Sequence, residues 1–96
     1  MACNSSGVKT ADAVISSDRC KLVSIHASGF TGTGTIKLFD NASAASGKEI
    51  VRMSFDASKH TAIEYDMHGT IANNGLYLEI DPTGQSDGAA VSVEFA

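Results

Sequence analysis

Residues 73–80 read NNGLYLEI, and this stretch shows the pattern that decides the fold. Asn-Asn-Gly is a strong turn signal, because Asn and Gly tolerate the left-handed backbone of tight turns. After the turn, three aliphatic residues alternate with two that carry polar groups, namely Leu76, Leu78 and Ile80 with Tyr77 and Glu79. Successive side chains of a β-strand point to opposite faces, so the alternation predicts a strand whose tyrosine and glutamate face outward.

The same period of two recurs along the rest of the chain. We predict further strands at 12–17, 19–27, 35–40, 49–55, 61–68 and 89–95. The segment 41–48, NASAASGK, is either a helical turn or a surface loop. About seven short strands with turn signals between them predict an all-β fold, an antiparallel β-sandwich with immunoglobulin-like or jelly-roll topology.

Alternation alone does not decide the inner face of one predicted strand or the structure of residues 69–72. Either face of the strand 19–27 could be the inner one, and we assign Val23 and Ile25 to the core. Leu22 would then be covered at the sheet edge or by a partner. Residues 69–72 are predicted as a short irregular edge that follows the strand 61–68.

Residues 1–10, MACNSSGVKT, show no alternation and are predicted to be a polar N-terminal arm, either disordered or ordered by a neighbour. Residues 11–96 are predicted to form a single β-sandwich domain. Only 21 of the 96 residues are Leu, Ile, Val or Phe, so the core is thin. A subunit interface would add buried apolar area, which favours a homo-oligomer over a marginally stable monomer.

The charge balance excludes two classes of partner. The chain carries 7 basic and 11 acidic residues, a net charge of −4. The basic residues are scattered singly: Lys9, Arg19, Lys21, Lys37, Lys48, Arg52 and Lys59. Without a basic cluster, we expect no binding to nucleic acid or to an anionic membrane surface. No apolar run approaches the ~18 residues of a membrane span.

The two cysteines, Cys3 and Cys20, are predicted to be free thiols. Their spacing would allow a bridge, but we find no signal peptide and expect synthesis in a reducing cytosol. Cys20 falls in a predicted strand, where a free cysteine behaves as a small buried hydrophobe.

No group of residues fits a metal or cofactor site. The spacing of His26, His60 and His68 matches no known motif, and Cys20 lies about 20 Å from His26 along one extended strand. Residues 81–88, DPTGQSDG, loosely resemble a calcium loop but lack its alternating oxygen ligands and its closing Glu. We therefore predict no metal and no cofactor.

The sequence also offers no catalytic constellation. Glu64 and Asp66 share a face two residues apart, but that face is the predicted solvent face, where carboxylates are ordinary. No serine lies in Gly-x-Ser-x-Gly, and the TGTGT run at 31–35 lacks the Lys and the helix of a phosphate loop. We expect that the protein is not an enzyme.

Four apolar residues are candidates for an interface: Leu22, Ile50, Phe30 and Tyr77. A flat apolar surface that contains Leu22 or Ile50 would indicate a protein–protein contact. Exposed Tyr77 and Phe30 in one concavity would instead indicate a platform on which a sugar ring stacks. The two outcomes separate a structural protein from a binding module.

The segment 33–50, TGTIKLFDNASAASGKEI, has a strand of the form Gly-x-Ile-x-Leu-Phe-Asp, an Ala/Ser/Gly loop and a second strand. Residues 21–29, KLVSIHASG, and 74–80, NGLYLEI, add strands of similar form. Over roughly residues 20–95 this layout resembles that of small β-rich virion structural proteins of tailed phages, which include head-decoration or cement proteins.

The resemblance implies a non-enzymatic protein that binds and stabilises the head lattice as a homo-oligomer, with a trimer favoured. Its partner would be the major capsid protein or another virion protein, and its location would be the virion after synthesis in the host cytoplasm. The resemblance carries over no catalytic or ligand-binding residue. The alternative function is a carbohydrate- or receptor-binding β-sandwich of a tail or adhesion device.

Overall fold

The computed structural model describes residues 4–29, 32–56, 58–59, 62–81 and 90–96. They form eight strands: β1 (Asn4–Ser5), β2 (Ala13–Ser16), β3 (Cys20–Ser28), β4 (Thr33–Asp40), β5 (Lys48–Asp56), β6 (Ala62–Ala72), β7 (Leu76–Asp81) and β8 (Ala90–Phe95). Two antiparallel four-stranded sheets result, sheet A in the order β1-β8-β3-β6 and sheet B in the order β2-β7-β4-β5. The predicted all-β sandwich is confirmed, with the two-residue β1 as an additional strand.

The strand order follows a single rule. β1 pairs with β8, β2 with β7, β3 with β6, and β4 with β5. The chain is therefore one long antiparallel ribbon of four strand pairs, folded over so that β3 also contacts β8 and β4 also contacts β7. This is the strand order of a jelly roll, which decides between the two predicted topologies.

The inner faces of four strands follow the period of two as predicted. Their fully or nearly buried side chains are Ile36 and Leu38 on β4, Val51, Met53 and Phe55 on β5, Leu76, Leu78 and Ile80 on β7, and Val91 and Val93 on β8. Each fully buried Val, Leu or Ile side chain contributes about 1.5–3 kcal/mol relative to an exposed one. These side chains fill the space between the two sheets and hold the outer faces in place.

Strand β3 departs from a strict period of two. Its register with β6 and with β8 shifts between Leu22 and Ser24, so Val23 is an extra residue opposite β8. Leu22 and Ile25 are both fully buried, whereas Val23 is only half-buried. The assignment of Val23 to the core was wrong, and Leu22 lies inside the core rather than under a partner. A β-bulge inserts one residue and exchanges the two faces beyond it.

Strand β6 is longer than the predicted strand 61–68, because residues 69–72 continue it. His68 and Gly69 have φ values of +54° and +82°, and the irregular backbone lies at these two residues. The side chains of neighbouring residues stabilise it: the His68 N–H donates to Asp66 Oδ1 (3.0 Å) and Thr70 Oγ1 donates to the Met67 carbonyl (2.8 Å). Beyond it, Ala72 pairs with Cys20 and is fully buried.

The segment 41–48 contains no helical turn. Asn41 Oδ1 accepts hydrogen bonds from the backbone N–H groups of Ser43 (2.8 Å) and Ala44 (3.0 Å). This local pairing is typical of an Asx turn, in which the Asn side chain substitutes for backbone partners. Of the two alternatives, the surface loop is the one observed.

Residues 4–9 of the predicted N-terminal arm lie along the edge of sheet A. The Ser6 N–H donates to the Val93 carbonyl (2.8 Å), and Lys9 and Val91 exchange two backbone hydrogen bonds of 2.7 and 2.8 Å. The Val93 N–H in turn donates to Ser6 Oγ (2.8 Å). These bonds satisfy backbone groups of β8 that would otherwise form an open sheet edge.

Cys20 is a free thiol that is 8% exposed, in agreement with the sequence-based prediction. Burial raises the pKa of this thiol, and its contact with Ser16 opposes the shift in part. The buried thiol packs as a small apolar side chain. Cys3 lies outside the described residues.

Gly75 connects the two sheets through the turn between β6 and β7. Its φ is +141°, and a Cβ at this position would lie 2.5 Å from the Ser16 carbonyl oxygen and 3.1 Å from Ala42 Cα. Only glycine has both the conformation and the space for this approach. The Asn74 N–H next to it donates to Asp40 Oδ1 (2.7 Å), which fixes the turn against the end of β4.

Candidate interaction surfaces

The outer face of sheet B carries three apolar side chains in one line across the strands. Val14 on β2 pairs with Tyr77 on β7, and Tyr77 pairs with Phe39 on β4. Val14 is 45% exposed, and the two aromatic side chains are half-buried. We call these three residues the apolar row. They point away from the core, since their neighbours Leu38 and Leu78 are the fully buried ones.

A second line of side chains crosses the same face two residues along each strand. In this charged row Lys37 on β4 pairs with Glu79 on β7 on one side and with Arg52 on β5 on the other. Lys37 Nζ lies 3.6 Å from Glu79 Oε1. The outer face of sheet B therefore has an apolar row and, two residues further along the strands, a row of opposite charges.

Arg52 does not face Lys37 with an uncompensated charge. Its Nε and Nη2 donate to Glu49 Oε1 (2.8 Å) and Oε2 (2.9 Å). This two-point hydrogen bond, strengthened by the opposite charges, lowers the pKa of Glu49 and raises that of Arg52. The like charges of Lys37 and Arg52 are therefore each paired with a glutamate.

The outer face of sheet A is different, because its centre is a polar cluster made of Ser24, His26, Glu64 and Glu94. His26 Nδ1 lies 3.2 Å from Glu64 Oε2, and His26 Nε2 lies 3.0 Å from Glu94 Oε1. Ser24 Oγ donates to Glu94 Oε1 at 2.6 Å. The hydrogen bond from Ser24, followed by that from His26, lowers the pKa of Glu94.

The polar cluster contains the residue types of a hydrolase triad in a different arrangement. Ser24 Oγ is 3.2 Å from His26 Nε2, but its shorter contact is the one to Glu94, so its proton is donated to a carboxylate rather than to the imidazole. A nucleophilic serine needs the histidine as its base. The geometry therefore stabilises the pairing of β3 with β8 and does not activate Ser24.

The polar cluster is also not arranged around a metal ion. The two glutamates contact opposite nitrogens of the His26 ring, so the three side chains do not converge on one point. Among the described residues, no three His, Cys, Asp or Glu side chains are placed to hold a metal ion. An open groove of about 270 Å³ adjoins the cluster, between Val8, Ser28, Ala62 and Ala90.

The three predicted interface residues that the structure describes do not lie on one surface. Tyr77 lies at the centre of the apolar row, whereas Leu22 is 0% exposed and has no surface to offer a partner. Ile50 is half-buried and packs against the core. Phe30 lies outside the described residues. Val14 and Phe39 were missed as interface candidates, because their alignment with Tyr77 depends on the order of β2, β7 and β4.

The other candidate residues that the structure describes lie apart from the apolar row. Glu64 and Asp66 are exposed on the outer face of sheet A, opposite His26 and Ser24. The His68 side chain is 84% exposed, and its Nδ1 is 3.5 Å from Asp66 Oδ1. His60 and most of the loop 81–88 lie outside the described residues.

No protein-family model matches the chain, and no curated protein or solved structure is significantly similar to it. The part of the chain that the structure describes contains no helix with the length and hydropathy that crossing a membrane requires. Function has to be argued from the two outer faces, since a fold shared by many proteins does not determine it.

Proposed function

We propose that this protein is a non-enzymatic structural component of a phage virion, a decoration or cement protein that binds the head lattice as a homo-oligomer. The observation that carries the proposal is the apolar row of Val14, Tyr77 and Phe39 on the outer face of sheet B. The inner face of the same sheet already supplies half of the core, so folding alone does not explain the row.

The chemistry of the row suits a protein contact. Single exposed apolar side chains are common, but aligned ones on a rigid sheet form a continuous surface that association can remove from water. Aromatic residues are enriched at interfaces and account for much of their binding free energy. The Lys37–Glu79 pair beside the row provides a polar rim.

The jelly-roll topology supports the proposal without determining it. This architecture occurs in viral capsid domains as well as in lectins and cupins. In sheet A, the N-terminal residues cover the β8 edge, and the irregular backbone at His68 interrupts the β6 edge. Protected edges disfavour uncontrolled edge-to-edge assembly through sheet A.

Two measurements test the proposal. Light scattering at several concentrations should show a closed oligomer of 9.9 kDa subunits. Mass spectrometry of purified virions of the phage that encodes the chain should detect it at a copy number comparable to that of the major capsid protein. A monomer at every concentration would contradict the oligomer, and absence from virions would contradict the structural role.

A second candidate function, carbohydrate binding, is favoured by one observation. Tyr77 and Phe39 are adjacent aromatic side chains on an open face, with Lys37 and Glu79 nearby as hydrogen-bonding groups. Titration of the protein with a panel of oligosaccharides would test it. Binding that Tyr77→Ala abolishes, and that Tyr65→Ala on sheet A leaves intact, would support the sugar platform. No binding at millimolar sugar would exclude it.

A further inference from the structure

On the outer face of sheet B, the side chains of two neighbouring strands form two matched pairs. Strands β4 and β7 are neighbours, and two outward pairs lie at successive levels: Phe39 beside Tyr77, and Lys37 beside Glu79. A level here means one position along the strands, at which a residue of β4 lies beside a residue of β7. The two residues at each level are different, and each could contact the other favourably. At the first level both are aromatic, and at the second they carry opposite charges.

This arrangement is self-complementary under a two-fold rotation. Consider an axis that lies in the interface, runs parallel to the strands and passes midway between β4 and β7. The rotation keeps each level and exchanges the two strands, so β4 of one copy faces β7 of the other. Phe39 then meets Tyr77 of the second copy, and Lys37 meets Glu79 of the second copy.

From this geometry we propose that a second copy of the chain covers the outer face of sheet B in a two-fold symmetric, face-to-face pair. The inference rests on the proposed function, because it identifies the contact by which the proposed oligomer forms. Two-fold contacts use the same surface on both subunits, and a surface with this self-complementarity is what such a contact needs.

The charged row supports a second copy over an unrelated partner. In each copy Lys37 Nζ and Glu79 Oε1 are 3.6 Å apart, and the pair is already about three-quarters buried, with 21% and 24% of the side chains exposed. Stacking two such pairs with opposite orientation produces an alternating network of four charges. Partly buried charges of alternating sign fix the register of the contact and exclude partners that present like charges.

The outer face of sheet B is four strands wide, and its strands have four to nine residues, so it measures about 19 Å by at most about 30 Å. The contact would therefore have to use the whole face to approach the ~800 Å² per partner that a standard stable interface buries. Two packed sheets also keep their strands within about 30° of each other, which the parallel axis satisfies. Tyr77 and Phe39 would lie at the centre of this area, whereas Val14 on the edge strand β2 would face Glu49 on β5 of the second copy.

A charge-reversal experiment tests the proposal. Lys37→Glu places a glutamate opposite Glu79 of the second copy, and Glu79→Lys places a lysine opposite Lys37 of the second copy. Each single variant should raise the dimer dissociation constant at least tenfold in analytical ultracentrifugation. An equimolar mixture of the two variants should restore the wild-type constant, because each charge then meets its opposite. The double variant Lys37→Glu/Glu79→Lys should dimerise as the wild type does.

Lys59→Glu is the matched control, since it makes the same charge change in the exposed turn after β5. It should leave the dissociation constant unchanged, and circular dichroism should show every variant folded. If the single variants associate like the wild type, or if the mixture fails to restore association, the two-fold contact is wrong. A homo-oligomer that persists through all variants, or a wild-type trimer, would overturn this contact and leave the virion proposal standing. A monomeric wild type would overturn both the contact and the oligomer.

Discussion

The two sheets have similar inner faces and very different outer faces. Inside, both contribute fully buried aliphatic side chains such as Ile25 and Leu78. Outside, sheet A presents the polar cluster around His26, whereas sheet B presents the apolar row around Tyr77. The polar cluster is satisfied by contacts within the chain. Sheet A also exposes Ile71, but the residue paired with it is Lys21, whereas the apolar row continues across three strands of sheet B. Association is therefore expected on sheet B.

The largest effect should come from removing a side chain that belongs to neither outer face. Leu22→Ala should lower the free energy of unfolding by about 3 kcal/mol, because Leu22 is fully buried and the substitution leaves a cavity. Urea denaturation measures the change. Association of the folded fraction should be unaffected. A loss of association at unchanged stability would place Leu22 in an interface and contradict the buried position.

The second-largest loss of stability should come from a substitution in the turn between β6 and β7, which connects the two sheets. Gly75→Ala should destabilise the fold by about 2 kcal/mol, because the left-handed backbone is unfavourable for alanine and its Cβ would press on the Ser16 carbonyl. Thermal unfolding measures the loss. Gly7→Ala is the control, since Gly7 also has a positive φ but a Cβ there would meet no atom within 4 Å. Equal effects at the two glycines would show that steric contact at Gly75 is unimportant.

Replacing one exposed aliphatic residue on each sheet tests the difference between the two outer faces directly. Val14 on sheet B is 45% exposed, and Ile71 on sheet A is 44% exposed. Val14→Asp should weaken self-association at least tenfold, or by about 1.4 kcal/mol, with little change in melting temperature. Ile71→Asp should leave association unchanged. If both substitutions weaken association equally, sheet B has no special role.

The smallest effect concerns the acid side of the pH profile. Hydrogen bonds from Ser24 and His26 lower the pKa of Glu94 in the folded protein below its ordinary value of 4.5. Its contribution to stability is therefore full above that value and is lost as the pH falls through the lowered folded pKa. Glu94→Gln should flatten the fall in melting temperature between about pH 5 and about pH 3.

Asp18→Asn, which changes an exposed residue of the turn between β2 and β3, is the control for this pH profile. It should retain the wild-type dependence on pH. A wild-type slope in the Glu94→Gln variant would show that the polar cluster does not contribute to acid stability.

The period of two predicted the sandwich and most of its inner faces, because β4, β7 and β8 keep strict alternation, as does β5 from Val51 onward. At the start of β5 the register with β4 shifts, and Ile50, a predicted interface residue, packs against the core instead. The period of two was wrong where the backbone adds residues to a strand. The bulge at Val23 and the left-handed pair His68 and Gly69 each change the face that follows, and neither leaves a mark in hydropathy. Strand propensity alone does not locate such bulges, since they depend on the partner strand.

The candidate surface was predictable only in part, for a related reason. The outward direction of Tyr77 follows from alternation within one strand. The alignment of Tyr77 with Val14 and Phe39 requires the order β2-β7-β4, which is a property of the whole chain. The polar cluster likewise depends on the register that brings Glu94 of β8 and Glu64 of β6 to His26.

The pairing of the first strand with the last also has a kinetic consequence. Asn4 and Ser5 pair with Phe95 and Glu94, about 90 residues further along the chain. Until β8 is in place, sheet A therefore lacks both that strand and the N-terminal residues that cover its edge. Proteins dominated by such distant pairings fold slowly, in milliseconds to seconds. We expect β1 and β8 to join sheet A late in folding, with one edge of β3 exposed until then.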